Sequence, residues 1–141
     1  MSDMIYTDKV AWLRRYQESL RREQELAEEV ERLQSEAARI TPLLSGMPGG
    51  PGDGQKLPRS VERIVQAQQE LQEQIDRCAD VRGDIAAVIA QVTNHKDHEI
   101  LRRRYILGQR WEYIAVQMKI ELRWVYRRHR NAVCRLTIES H

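Results

Sequence analysis

All four prolines and five of the seven glycines of this 141-residue chain fall between residues 42 and 58. Proline lacks a backbone donor and clashes with the preceding helical turn, and glycine adds entropy cost to any helix that includes it. No long helix propagates through such a cluster, so residues 45–59 are expected to form a loop, too long for a tight turn. Uninterrupted helices are allowed only on either side. The chain is thereby constrained to two long helical stretches flanking a loop, followed by whatever its last third builds.

The first stretch is expected to run from Asp8, with Thr7 as N-cap, to Leu43. Leu26, Val30, Leu33, Ala37, Ile40 and Leu44 alternate spacings of four and three, which is a heptad seam. Val10, Leu13, Tyr16 and Leu20 continue the apolar stripe with a shift in phase. The second stretch is expected from an N-cap at Ser60 to Val92. Ile64, Leu71, Cys78 and Ile85 recur every seven residues, with Val61, Ile75 and Ile89 as the companion row. Gln68 and Arg82 interrupt that row, and Gly83 weakens the helix by about 1 kcal/mol relative to alanine. Each helix carries one apolar stripe and needs a partner. The simplest solution is an antiparallel, coiled-coil-like hairpin, and two hairpins meeting as a dimer is the next simplest.

The pattern breaks at Asn94-His95-Lys96-Asp97, which suits a cap for the helix that follows. A three-helix unit is then expected over residues 98–107, ending at a left-handed Gly108, over 111–118, and over 122–136, with a turn at 119–121. Ile100, Leu101, Tyr105, Ile106, Trp111, Ile114, Ala115, Met118, Ile120, Val125, Ala132 and Leu136 provide its interior. Ala115 suits the crossing of the last two helices, where only a small side chain fits. Two helices joined by a turn of this length form a helix-turn-helix, whose second helix can lie in the DNA major groove.

On that second helix Arg123, Trp124, Tyr126, Arg127 and Arg130 cannot all be core. Arg123, Arg127 and Arg130 share one face. Arg123 and Arg127 lie in the half that enters the groove and are assigned to base edges. Arg130 and the run Arg102, Arg103 and Arg104 are assigned to phosphates. Trp124 has three open roles: stacking on the DNA backbone, packing on the preceding helix, or sitting in a protein interface. Arg128 stands where an apolar residue is easier to place, so its alkyl stem is expected to be half buried.

Charge supports this division. Residues 1–94 carry 12 Lys/Arg against 16 Asp/Glu, a net −4, whereas residues 95–141 carry 11 against 5, a net +6. A basic tail behind an acidic front is the asymmetry expected when one end meets phosphate. Chain length excludes a large enzyme core. Cys78 and Cys134 fall on inward helical positions without close-spaced partners and read as reduced core thiols of a cytoplasmic protein. His95 and His98 lie near Asp97 and Glu99, but no second ligand cluster completes a metal site. Gly46 to Gly54 lacks the strand before and the GK[ST] after that a phosphate loop needs. Carboxylates are spread along helices with no apolar pocket to perturb them. Neither catalysis, a cofactor nor a metal is expected, and no apolar stretch is long enough to span a membrane.

With these residues identified, the C-terminal third resembles region 4 of sigma-70-type factors, which reads the promoter −35 element. The shared pattern appears as Glu112, Ile114-Ala115, Val125, Ala132-Val133 and Leu136. The Tyr-Ile-x-Gly-x-x-Trp run from Tyr105 to Trp111 and the Arg-His-x-x-Ala run from Arg128 to Ala132 bring it closer to small sigma-like regulators of Gram-positive phages and prophages, the ArpU-like and RinA-like group. In that group a helical segment with a Pro/Gly interruption precedes the sigma-like unit. The resemblance is specific over residues 98–138 and architectural over 1–94. It implies an all-α protein with an interaction hairpin at 1–94 and a DNA-binding unit at 95–141, acting as a transcription regulator of late or packaging-related phage genes in a bacterial host. Double-stranded DNA is the expected partner, RNA polymerase a second candidate, and a homodimer the expected assembly. Glu121 stands where sigma factors usually place a Ser or Thr cap. The regions that melt DNA and grip the polymerase core have no counterpart, which favours an activator over a full sigma factor. Two alternatives from other classes are a phage DNA-packaging recognition subunit, small-terminase-like, and a polymerase-binding adaptor with secondary DNA contacts.

Overall fold

The computed structural model describes the backbone of residues 4–45 and 56–139 and the side chains of residues 4–40 and 58–139. Those residues are all-α, without a strand. The elements are α1 (Tyr6–Leu13), α2 (Arg15–Ser45), α3 (Lys56–Ile89), α4 (His95–Leu101) with a π-helical turn (Arg102–Ile106), α5 (Trp111–Met118) and α6 (Leu122–Arg135). Most of the expected loop 45–59, residues 46–55, lies outside the described residues. Two helix starts differ from expectation. Ile5, not Thr7, occupies the N-cap of α1 and makes no side-chain cap bond. Lys56, not a position after Ser60, opens α3. Pro58 then lies in the first turn, where a missing N–H removes no helical hydrogen bond.

The chain folds as two compact units, one of Leu20–Arg77 and one joining the residues up to Ser19 to those from Cys78 onward. The division thus differs from the expected boundary at residue 94. The reason is apolar surface: α1 and the last turns of α3 supply what three short C-terminal helices lack.

Within Leu20–Arg77, Glu29, Arg32, Leu33 and Glu36 of α2 border one cleft with Arg63, Gln66, Ala67 and Glu70 of α3. These two sets lie at similar distances in sequence from the connection, which makes the pair an antiparallel hairpin. Leu26 and Val30 are buried as the heptad predicts. On α3 the companion row is buried at Ile89, as expected, but differs nearer the connection. Ala67 and Gln74 are buried, whereas Val61 and Ile75 are 49% and 39% exposed. Rows three residues before and three after Ile64 and Leu71 flank the stripe symmetrically, and the second is the buried one.

The other unit has two apolar clusters. Leu13, Ile85, Ile89, Leu101, Tyr105, Ala132, Val133 and Leu136 form the larger, joining α1, α3, α4 and α6. Ile100, Ile114, Ala115 and Val125 form the smaller, with Trp111, Met118, Ile120 and Leu122 around it. Asn94 caps α4, its side chain accepting the Asp97 N–H at 3.1 Å. The helix therefore starts three residues before the expected 98 and ends in the π turn, where Leu107 N–H reaches the Arg102 carbonyl. Gln17 donates to the Tyr105 and Ile106 carbonyls at 3.2 and 3.1 Å, satisfying the end of that turn. Gly108 follows in the expected left-handed conformation, φ +68°.

Candidate nucleic-acid interface

The turn between α5 and α6 is set by backbone geometry. Lys119 adopts φ 57°, and its N–H bonds Val116 O while Ile120 N–H bonds Ala115 O. This is a Schellman closure, and Ile120 packs back on the cluster of Ile114 and Ala115. Glu121 occupies the N-cap of α6 but makes no cap bond. Its carboxylate instead pairs with Arg123 at 2.9 Å. Glu121 thus serves as an ion-pair partner and not as a side-chain cap.

Burial of Val125, His129, Ala132, Val133 and Leu136 fixes the rotation of α6. At 100° per residue, Arg130, Arg123 and Arg127 then occupy the middle of the outer face, with Tyr126 on one flank and Trp124 on the other. All five are exposed. Trp124 lies between two guanidiniums, those of Arg123 and Arg127, 5.5 and 5.4 Å from its ring centroid. Such contacts orient the arginines without neutralising them. The exposed side is therefore a row of cations on a rigid helix, flanked by aromatic rings. Cys134, expected to be buried, is exposed on the same side, while Cys78 is buried as expected. A position two beyond Ala132 falls opposite the buried stripe.

Other predicted site residues are placed differently. Arg102 and Arg103 both bind the Glu99 carboxylate at 2.9 Å. The hydrogen bond from Arg102 holds that carboxyl below its usual range. Arg128 is half-buried and pairs with Asp97 at 3.0 Å, tying α6 to the start of α4.

Sequence reasoning did not single out His129. It is 4% exposed. Tyr105 Oη lies 2.6 Å from Nε2 and Tyr6 Oη 3.3 Å from Nδ1. Trp111 meets the ring edge-on at 4.6 Å. Burial pushes the imidazole pKa down to about 4, and the positive fields of Arg104 and Arg14 add to the shift. The ring is therefore neutral at neutral pH and serves as a packed polar hub. Lys9 is also buried, and its Nζ donates to the Cys134 carbonyl at 3.0 Å, satisfying the end of α6. The signal for these α1 contacts is the phase shift of Val10, Leu13 and Tyr16 relative to the later heptads.

Around this hub Tyr6, Arg14, Arg104, Trp111, Tyr126 and Arg130 line a cleft of about 350 Å³. Arg104 stacks 4.4 Å from the Trp111 centroid and Arg130 lies 4.6 Å from that of Tyr6. Among the described residues no group of three His, Cys, Asp or Glu side chains is gathered to hold a metal ion, and no helix is long and apolar enough to cross a membrane. No family model, no curated protein and no solved structure matches the chain.

Proposed function

We propose that the protein is a sequence-specific DNA-binding transcription regulator that reads duplex DNA through α6. The observation that carries this reading is the outer face of α6, where Arg123, Arg127 and Arg130 stand exposed on a helix held by a closed turn against α5. Arg123 and Arg127 are the base-reading candidates, because guanidiniums pair with two acceptors of guanine in the major groove. Arg130 suits a phosphate. Trp124 takes part by holding both base-reading guanidiniums over its ring. Arg102 and Arg103 become phosphate contacts only through the N–H groups that Glu99 leaves free.

The finer assignment, an activator of late or packaging-related genes of a phage or prophage, rests on the likeness to sigma region 4 described above. A homodimer through the hairpin is supported by Val61, Val65 and Ile75 of α3, exposed at 49%, 45% and 39%. Those side chains flank the stripe of Ile64 and Leu71 on the side away from Ala67 and Gln74.

Selection of bound duplexes from a random pool tests the reading. One enriched motif is expected, and its symmetry reports monomer or dimer. Equal affinity for every duplex across a range of salt refutes sequence reading. Mass in solution separates the roles further, since a ring of eight or more subunits favours a packaging component over a regulator.

A further inference from the structure

We propose that the cleft enclosed by α1, the π turn, α5 and α6 binds a nucleoside monophosphate unit, with its phosphate on Arg14, Arg104 and Arg130 and its base against the exposed ring of Tyr126. Three guanidiniums line a cleft whose other walls, Val10 apart, are aromatic. None of the three forms an ion pair with a carboxylate among the described residues. Two of them are positioned by ring faces, Arg104 on Trp111 and Arg130 on Tyr6. Arg104 uses one N–H on the Gln109 carbonyl at 3.1 Å, leaving further donors free. Gathering like charges without an anion is unfavourable, and a dianionic phosphate reverses that repulsion while accepting charge-assisted hydrogen bonds.

The aromatic content argues for more than an inorganic anion. Tyr126 is 43% exposed, lines the cleft, and meets Trp111 in an edge arrangement at 5.4 Å. Stacking of a base on such a ring is sequence-tolerant, because every base presents a π-face. The volume, about 350 Å³, lies at the small end of ligand clefts and suits a single nucleotide. A larger cleft of about 650 Å³, by contrast, sets Asp84 and Glu139 beside Arg15 and lacks a net positive wall.

The nucleotide has two possible sources, a free mononucleotide or one unit of a bound strand, because Tyr126 and Arg130 also belong to the outer face of α6. NMR of the full-length chain distinguishes them, with the Trp111 indole N–H as reporter, assigned by Trp12→Phe and Trp124→Phe. AMP, GMP, CMP and TMP are titrated alongside ribose 5-phosphate, inorganic phosphate and a single-stranded oligonucleotide. Saturable shifts with mononucleotides, at least tenfold weaker for ribose 5-phosphate and for the exposed-site variant Arg14→Gln, establish the site with a free ligand. Saturable shifts with the oligonucleotide alone, weakened tenfold by Arg14→Gln, assign it to a strand. The proposal fails if neither moves the Trp111 signal. It also fails if phosphate binds within threefold of the nucleotides, or if Arg14→Gln changes nothing. The mononucleotide arm stands whatever becomes of duplex reading by Arg123 and Arg127, neither of which lines the cleft.

Discussion

The Tyr105 hydroxyl lies 2.6 Å from Nε2 of His129, inside a contact that joins the π turn to the middle of α6. A neutral imidazole has one bare nitrogen and one N–H, so it accepts from one phenol and donates to the other. The short contact fits Tyr105 donating to Nε2, which leaves Nδ1–H directed at the Tyr6 oxygen, 3.3 Å away. Protonation removes the acceptor and places a cation beside Arg104 and Arg14.

Stability is therefore expected to depend on pH through His129. The folded pKa is about 4, below the ordinary 6.5, so the unfolded chain binds more protons between those values. The stabilisation is complete above about pH 6.5 and is lost as the pH falls toward 4, by about 3 kcal/mol at roughly 1.4 kcal/mol per unit. Denaturant unfolding at pH 7 and pH 4.5, with NMR titration of the imidazole, measures it. A His129 signal that titrates near its ordinary value contradicts the burial of the ring.

Two glycines are expected to respond in opposite directions to alanine. At Gly108, φ is +68° and a Cβ would stand 2.5 Å from Gln17 Oε1. Gly108→Ala strains the backbone by about 1–2 kcal/mol and displaces the amide that satisfies the Tyr105 and Ile106 carbonyls. At Gly83, inside α3, a Cβ meets nothing within 4 Å. Gly83→Ala is expected to stabilise by about 0.5–1 kcal/mol through the entropy of the unfolded chain. Thermal and denaturant melts of both variants give the two signs.

Much of this arrangement is legible along the chain, and the exceptions share a cause. Val125, Ala132 and Leu136 define the inner stripe of α6 and so place Arg123, Arg127 and Arg130 outside. His129 lies on that same stripe, four residues after Val125, but an imidazole there has no evident partner until Tyr6 and Tyr105 are brought to it. Those partners come from distant parts of the chain. The companion row of α3 is ambiguous for a related reason. Val61 and Ile75 are the more apolar choice, yet Ala67 and Gln74 are the buried ones. Local periodicity identifies a stripe, while the partner decides which edge of it is covered. The π turn at Arg102–Ile106 has no local signature, since its end is satisfied by Gln17 from the start of α2.

The two cysteines are expected to differ in reactivity. Cys134 is exposed and Cys78 is buried. A thiol reagent under native conditions is expected to modify one thiol per chain quickly, with the second released only on unfolding. Mass spectrometry after a short exposure identifies the residue. Rapid modification of both contradicts the burial of Cys78.

Arg128 and Arg123 separate folding from recognition. Arg128 bonds Asp97 at 3.0 Å, and the carboxylate side chain is only 15% exposed. Arg128→Gln is expected to destabilise by about 1 kcal/mol, because a partly buried carboxylate loses its partner. Duplex affinity at a temperature well below the melt is expected to change little. Arg123 has a side chain 75% exposed, and its pairing with Glu121 is a surface contact. Arg123→Ala is expected to leave stability within about 0.5 kcal/mol. It should weaken binding to a selected duplex by about 1–3 kcal/mol, with a smaller effect on random DNA. Melts and duplex titrations of both variants at matched salt give four values. If Arg123→Ala lowers selected and random affinities equally, Arg123 contacts phosphate and the base-reading role passes from it.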